Sequence, residues 1–154
     1  MSIPLNHLRH KSFAIYGLGI TGRSVIRYFH KHRFKNYVGW DDDNEVFKKS
    51  IGSKYKSMRS DFLELVNFAD YIIVSPGINI KKTKLKKILL KNKHKIITDL
   101  DLFYLLNPAV KSIVVTGTNG KSTTCKIIEH VLKKNNINVG LGGNIGSPIL
   151  NLNL

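Results

Sequence analysis

The 154-residue sequence has little of three things: cysteine, acidic side chains and long apolar runs. Its single cysteine, Cys125, excludes an internal disulfide and a zinc site built from several cysteines, which favours a reducing compartment. No uncharged run offers the roughly 20 apolar residues that a membrane-spanning helix needs. The first residues also lack the pattern of a secretory signal. We therefore expect a cytoplasmic protein without membrane insertion, in which Cys125 is a packing residue.

Acidic residues are scarce, since 10 Asp and Glu stand against 25 Lys and Arg, and the net charge is +15. Such a charge is typical of nucleic-acid binding. However, residues 81–95 hold the densest run of Lys, and their apolar residues recur at the spacing of one helix face: Leu85, Ile88 and Leu89. No aromatic residue lies among these Lys to stack on bases. We interpret the run as a solvated helix face and expect no nucleic-acid partner. A basic nucleic-acid-binding module is the alternative, and its binding would fall steeply with salt.

Short apolar runs alternate with helical periodicities along the whole chain. This alternation predicts an α/β fold with a mainly parallel sheet. The predicted strands are residues 12–16, 37–40, 71–74, 96–97 and 112–116. The predicted helices are residues 21–32, 62–68, 81–95, 99–106 and 122–134, the fourth of them capped by Thr98 or Asp99. In the last helix four residues are predicted to face a core: Ile127, Ile128, Val131 and Leu132.

The pair Asn107-Pro108 is the predicted domain boundary. Residues 1–108 form a complete set of strands and helices, which predicts a Rossmann-like parallel-sheet domain. Residues 109–154 begin again with a strand, a glycine loop and a helix, which predicts the start of an ATP-binding domain of the P-loop type. A segment below about 50 residues rarely closes a core of its own. We therefore expect residues 109–154 to be a truncated domain.

The first glycine loop, GLGITG at residues 17–22, matches the G-x-G-x-x-G pattern between a predicted strand and a predicted helix. Its glycines allow a tight turn, and the helix that follows offers free N–H groups to a phosphate. Asp41 ends the next strand, 24 residues after Gly17, near the distance at which an acid binds a ribose hydroxyl. An NAD-dependent oxidoreductase or an NAD-binding domain is therefore one interpretation. Another nucleotide diphosphate, or a purely structural role of the glycines, also fits.

The second glycine loop, GTNGKST at residues 117–123, also lies between a predicted strand and a predicted helix. Its backbone N–H groups can surround a phosphate of ATP, and Lys121 can place its ammonium between the β- and γ-phosphates. Ser122 can give its hydroxyl to Mg²⁺. The loop is shorter than the full Walker pattern, because Val115 stands where that pattern has its first glycine. The alternative is a chance turn with a surface lysine. The candidate ATP-binding residues are Gly117, Thr118, Asn119, Gly120, Lys121, Ser122 and Thr123.

The second loop resembles the ATP loop of the Mur ligases and of their folylpolyglutamate synthase relatives. Four further segments resemble the Mur ligases that add D-glutamate: GLGITG, SPGI (75–78), DLDLF (99–103) and GGNIGSP (142–148). This resemblance implies that ATP phosphorylates the carboxylate of UDP-N-acetylmuramoyl-L-alanine. The amine of D-glutamate then attacks the acyl phosphate, and phosphate leaves. Lys121 would be the catalytic residue, since with Mg²⁺ it would neutralise the transferred phosphoryl group.

The resemblance also implies that the first domain binds the UDP end of the substrate rather than NAD. The residues that match the family's site are Ile20, Thr21, Asp41, Ser75, Pro76, Gly77 and Asn144. Asp42 and Asp43 depart from the Thr and Arg that some members carry beside the uracil. Members of the family have three domains and roughly three times this length. We therefore expect this chain to be an N-terminal part, monomeric and inactive alone.

Overall fold

In a computed structural model, the structure describes residues 5–51, 59–143 and 147–152. The four strands are β1 (Phe13–Tyr16), β2 (Tyr37–Trp40), β3 (Tyr71–Val74) and β4 (Ile96–Ile97). The helices described are α1 (Leu5–Arg9), α2 (Ile20–Lys31), α3 (Asn44–Ile51), α4 (Arg59–Phe68), α5 (Lys86–Lys91), α6 (Asp99–Leu106) and α7 (Lys121–Lys134). Two short 3₁₀ turns lie at Lys93–Lys95 and Ile149–Asn151.

The four strands form one parallel sheet in the order β2-β1-β3-β4. The first strand is central, because Phe13 pairs with Tyr37 on one side and with Tyr71 on the other. Each connection between parallel strands crosses over through helices, so both faces of the sheet are covered. The prediction of a Rossmann-like parallel sheet is confirmed.

Alternating residues of β1 supply the two halves of the core. Phe13 and Ile15 are fully buried on the face that α2 and α6 cover. Ala14 and Tyr16 are fully buried on the opposite face, which α4 and α5 cover. The first face is rich in aromatic contacts, since the ring centroids of Phe13 and Phe29 lie 4.8 Å apart. Burial on both faces explains why the strands read as continuous apolar runs in the sequence.

Most predicted elements of the first hundred residues are confirmed, with ends shifted by a few residues. Thr98 caps α6 through a reciprocal capping box with Asp101. The basic run forms a shorter helix than predicted, with turns before it, yet Leu85 and Leu89 are buried as expected. Neither α1 nor α3 was predicted. A signal for α3 was present in Asp43, whose carboxylate accepts hydrogen bonds from the first N–H groups of that helix.

The predicted strand at residues 112–116 is wrong. These residues have no regular secondary structure, and the side chains of Ile113 and Val114 are 64% and 68% exposed. The helix predicted after them is confirmed as α7, but it has no buried residue, so the four residues predicted to face a core do not. A strand needs a hydrogen-bonded neighbour and an apolar helix face needs a sheet to cover. Residues 112–116 pair with no strand of the described sheet, and α7 buries no residue against it.

After α7 the chain comes back to the helices that cover one face of the sheet. The 3₁₀ turn Ile149–Asn151 packs against α2 and α6. Leu150 is 6% exposed and belongs to the same core cluster as Phe29 and Leu102. The domain boundary at residue 108 stays a prediction, but residues beyond it contribute to the core of the sheet.

Gly22 is expected to be indispensable for the packing of α2 on β1. A Cβ atom at this position would lie 1.9 Å from the carbonyl oxygen of Gly17, so Gly22→Ala must displace the backbone. We expect the variant to lose about 3 kcal/mol of unfolding free energy. Gly19→Ala is the matched control, because a Cβ there meets no atom within 4 Å. Urea unfolding followed by the fluorescence of Trp40, the sole tryptophan, measures both, and equal losses would contradict this packing.

Leu150 is expected to stabilise the core of the sheet, although it is distant in sequence from the strands. Leu150→Ala removes a buried side chain from between α2 and α6, which should cost about 2–4 kcal/mol of unfolding free energy. The neighbouring Asn151 is exposed, so Asn151→Ala should cost under about 0.5 kcal/mol. The same fluorescence measurement applies, because Trp40, at the end of β2, packs against Phe47 and Phe62. If the two variants unfold alike, the turn does not dock there in solution.

Candidate functional site

The candidate crevice lies at the carboxyl ends of the two central strands of the sheet, β1 and β3. After β1 the chain turns to the face covered by α2, and after β3 it turns to the opposite face, where Leu85 and Leu89 lie. Neighbouring strands whose connections diverge in this way form a topological switch point, where open α/β sheets bind ligands. The first glycine loop forms one wall of this crevice, and residues 75–78 form the other.

The first glycine loop lies in close contact with the wall formed by residues 75–78. Gly17 has a φ of +92°, and a Cβ there would lie 2.8 Å from Ile78 Cγ1. The loop leads directly into α2, whose N-cap residue Gly19 has no side-chain cap. Because the first N–H groups of a helix lack partners within it, the start of α2 can bind an anion. Ile20 and Thr21 are the first two residues of this helix, with Ile20 largely exposed.

Ser75 connects the two walls of the crevice. Its hydroxyl donates a 2.7 Å hydrogen bond to the carbonyl oxygen of Gly17, and its N–H donates to the carbonyl oxygen of Tyr16. Ser75 is buried, whereas the next two residues, Pro76 and Gly77, are exposed. The structure therefore places the hydroxyl of Ser75 on the glycine loop, and the exposed pair at the rim.

Asp41 holds the glycine loop from the side of β2. One oxygen of its carboxylate accepts a 2.6 Å hydrogen bond from the N–H of Leu18, and the other accepts from the N–H of Asp43 at 2.9 Å. A carboxylate oxygen can accept a second hydrogen bond, so Asp41 can still meet a ligand. Asp41 thus fixes the conformation of the loop in addition to lying beside the crevice.

Asp42 and the buried Tyr16 form a polar contact that the sequence analysis missed. The Tyr16 hydroxyl donates a 2.6 Å hydrogen bond to Asp42, and the Trp40 indole N–H donates to the same carboxylate at 3.2 Å. Burial, followed by the bond to Asp42, raises the pKa of Tyr16 to about 12, so the phenol is protonated at neutral pH. A tyrosine at the end of a buried strand was the available signal, since a buried phenol needs a partner.

The second glycine loop has the backbone conformation that its sequence suggests. Gly117 and Gly120 have φ values of +146° and +77°, in the region that favours glycine. The Lys121 ammonium donates hydrogen bonds to the carbonyl oxygens of Gly117 and Thr118, so the cation lies against the loop. Ser122 and Thr123 are exposed in the first turn of α7 and line an open groove of about 310 Å³. A cation, a hydroxyl and exposed backbone at one helix start fit a magnesium-bound phosphate.

One predicted site residue falls outside what the structure describes. Asn144 lies outside the described residues. Among residues 5–51, 59–143 and 147–152 no group of three His, Cys, Asp or Glu side chains is placed to hold a metal ion. No helix in that part of the chain is both long and apolar enough to cross a membrane. Cys125 is half-buried on α7.

Removing the Ser75 hydroxyl is expected to loosen the crevice. Ser75→Ala leaves the buried carbonyl of Gly17 without this donor, which should lower the unfolding free energy by about 1–2 kcal/mol. Ser147→Ala is the control, because Ser147 is exposed and its bond to the N–H of Gly143 uses the backbone oxygen, which the substitution keeps. Urea unfolding monitored by circular dichroism compares them. A loss no larger than that of the control would show that the bond contributes nothing.

Comparison with known proteins assigns the chain to a family. The model of the N-terminal domain of MurD-like Mur ligases matches residues 11–98. A UDP-N-acetylmuramoylalanine–D-glutamate ligase of Wolbachia sp. subsp. Brugia malayi is 37% identical over 156 residues, which cover 97% of this chain and 31% of that relative. The enzyme of the same name from Rickettsia prowazekii is 33% identical over 95% of this chain and 32% of its own length.

A further relative of that name, from Buchnera aphidicola subsp. Schizaphis graminum, is 34% identical over 92% of this chain. The chain spans about a third of the length of the curated relatives that it matches. These matches agree with the parallel sheet and with the glycine loop at its switch point. The chain belongs to the Mur ligase family, and residues 11–98 are its MurD-like N-terminal domain.

Proposed function

We propose that the chain is the N-terminal part of an ATP-dependent ligase that adds D-glutamate to UDP-N-acetylmuramoyl-L-alanine during peptidoglycan precursor synthesis. One observation carries this proposal: the similarity to ligases of that name runs over 97% of the chain and so includes both glycine loops. An NAD-dependent oxidoreductase would use the first loop and leave the second without a role. The similarity therefore favours the ligase over the NAD-binding alternative.

The crevice at the first glycine loop would bind the UDP end of the substrate. The diphosphate would accept hydrogen bonds from the backbone of Ile20 and Thr21, where the uncapped start of α2 favours negative charge. Asp41 would lie beside the uracil, with the exposed Pro76 and Gly77 at the opposite rim. Ser75 would act indirectly, since its hydroxyl holds the carbonyl of Gly17. Asn144 would reach the sugar–peptide portion.

The second glycine loop would bind ATP, and the candidate residues are Gly117, Thr118, Asn119, Gly120, Lys121, Ser122 and Thr123. Lys121 would move from the loop carbonyls to the phosphates, and Ser122 would supply a hydroxyl ligand to Mg²⁺. The γ-phosphoryl group passes to the substrate carboxylate, and the amine of D-glutamate then forms the amide as phosphate leaves. Mg²⁺ would supply neutralisation of the phosphate charge.

We further propose that residues 1–108 are the substrate domain and that residues 109–154 begin the ATP domain. The exposed apolar side chains at Ile113, Val114, Ile127 and Val131 support an incomplete second domain. The chain alone would then bind substrate without turning it over. It would act as a monomer in the cytoplasm, where ATP is available.

Calorimetric titration of this chain with UDP-N-acetylmuramoyl-L-alanine tests the proposal, with NAD as the competing ligand. We expect the UDP sugar to bind and NAD to give no heat. Thr21→Val should weaken UDP-sugar binding about fivefold, because it removes a hydroxyl at the start of α2. Ser122→Ala removes the equivalent hydroxyl at the start of α7 and should leave that affinity unchanged. Binding of NAD alone would contradict the proposal.

A further inference from the structure

Three consecutive acids at the carboxyl end of β2, Asp41, Asp42 and Asp43, would repel an anionic ligand in the neighbouring crevice. The structure gives each acid different hydrogen-bond partners. Asp41 binds the glycine loop, and Asp43 caps α3 by accepting from the N–H groups of Glu45 and Val46 at 2.8 and 3.2 Å. The partners of Asp42 come instead from three separate parts of the fold.

The carboxylate of Asp42 lies at the centre of a side-chain network at the carboxyl-terminal edge of the sheet. Tyr16, from the end of β1, donates to it at 2.6 Å, and Trp40, from the end of β2, donates at 3.2 Å. Thr83, from the segment after β3, donates at 3.4 Å to the Oδ2 atom that also accepts from Tyr16, and it contacts the Tyr16 hydroxyl. The network thus joins the carboxyl ends of two strands to the segment that follows the third.

Thr83 in turn shapes the chain that leads into α5. Its hydroxyl accepts a 3.1 Å hydrogen bond from the N–H of Leu85, whose side chain is buried against the sheet. The same segment begins at the wall formed by residues 75–78, where the side chain of Ile78 lies against Gly17. Movement of Thr83 would therefore shift that wall relative to the glycine loop.

We propose that Asp42 is a positioning residue of the UDP-substrate crevice, holding the segment after β3 against the ends of β1 and β2 through Tyr16 and Thr83. This inference rests on the proposed function, since it concerns the same crevice. On this proposal, removing Asp42 changes the affinity for the anionic ligand in the opposite direction from that expected of simple charge repulsion. Loss of a repelling charge strengthens anion binding, whereas loss of a positioning group weakens it.

Two measurements on the full 154-residue chain test the role of Asp42. Acrylamide quenching of Trp40, the sole tryptophan, reports the network without any ligand. Calorimetry with UDP-N-acetylmuramoyl-L-alanine reports the crevice. We expect Asp42→Ala and Tyr16→Phe each to increase the quenching and to weaken binding roughly five- to tenfold. Because both act through one network, the double variant should bind no more weakly than either single variant.

Matched variants separate positioning from charge and from general damage. Asp43→Asn removes the same charge from the same triplet and keeps a side chain that caps α3, so binding should be unchanged or slightly tighter. Asp42→Asn keeps one acceptor oxygen for Tyr16 and should recover part of the affinity lost in Asp42→Ala. Thr83→Ser keeps the hydroxyl and should bind normally, whereas Thr83→Val should not.

The outcomes that overturn the inference are distinct. Tighter binding by Asp42→Ala, matching Asp43→Asn, would mean that Asp42 acts only as a repelling charge. Unchanged quenching of Trp40 in both Asp42→Ala and Tyr16→Phe would mean that the network does not hold this region. No binding by the unaltered chain would overturn the proposed function, and with it any role of Asp42 in that crevice, whatever the quenching shows.

Discussion

The close approach of α2 to the end of β1 is the constraint on which the site depends. Gly22 leaves room for the carbonyl oxygen of Gly17, which would lie 1.9 Å from any Cβ at that position. The same carbonyl accepts a hydrogen bond from the hydroxyl of Ser75 across the switch point. Helix, loop and neighbouring strand are thus fixed by contacts to one peptide group. The start of α2, whose first N–H groups lack partners within the helix, is held beside the candidate crevice as a result.

The acidic triplet after β2 shows how neighbouring identical residues acquire separate roles. Asp41 accepts from the backbone of the glycine loop, Asp42 from side chains of β1 and β2, and Asp43 from the first turn of α3. Each carboxylate accepts hydrogen bonds, so oriented N–H and O–H groups compensate part of the local negative charge. The loop between β2 and α3 is therefore part of the architecture of the crevice.

The two glycine loops differ in what supports them. The first lies between a buried strand and a buried helix face, whereas the second precedes α7, which has no buried residue. Even so, the second loop keeps its glycine conformations and its lysine contacts, because these are interactions within five consecutive residues. The local geometry of the second glycine loop thus forms without a sheet, while the strand predicted before it, which needs a neighbour, does not form.

The four strands of the sheet, the helix after the first glycine loop and the cap at Thr98 could all be predicted from the sequence, because apolar periodicity, glycine spacing and capping are local. The sequence also determined the family, through motifs whose order spans the chain. Three outcomes depend on the assembled fold: residues 112–116 form no strand, Leu150 packs in the core cluster of Phe29 and Leu102, and Tyr16 donates to Asp42. Those outcomes depend on which distant segments become neighbours, since burial and hydrogen bonding between strands are properties of the assembled sheet and of no single segment.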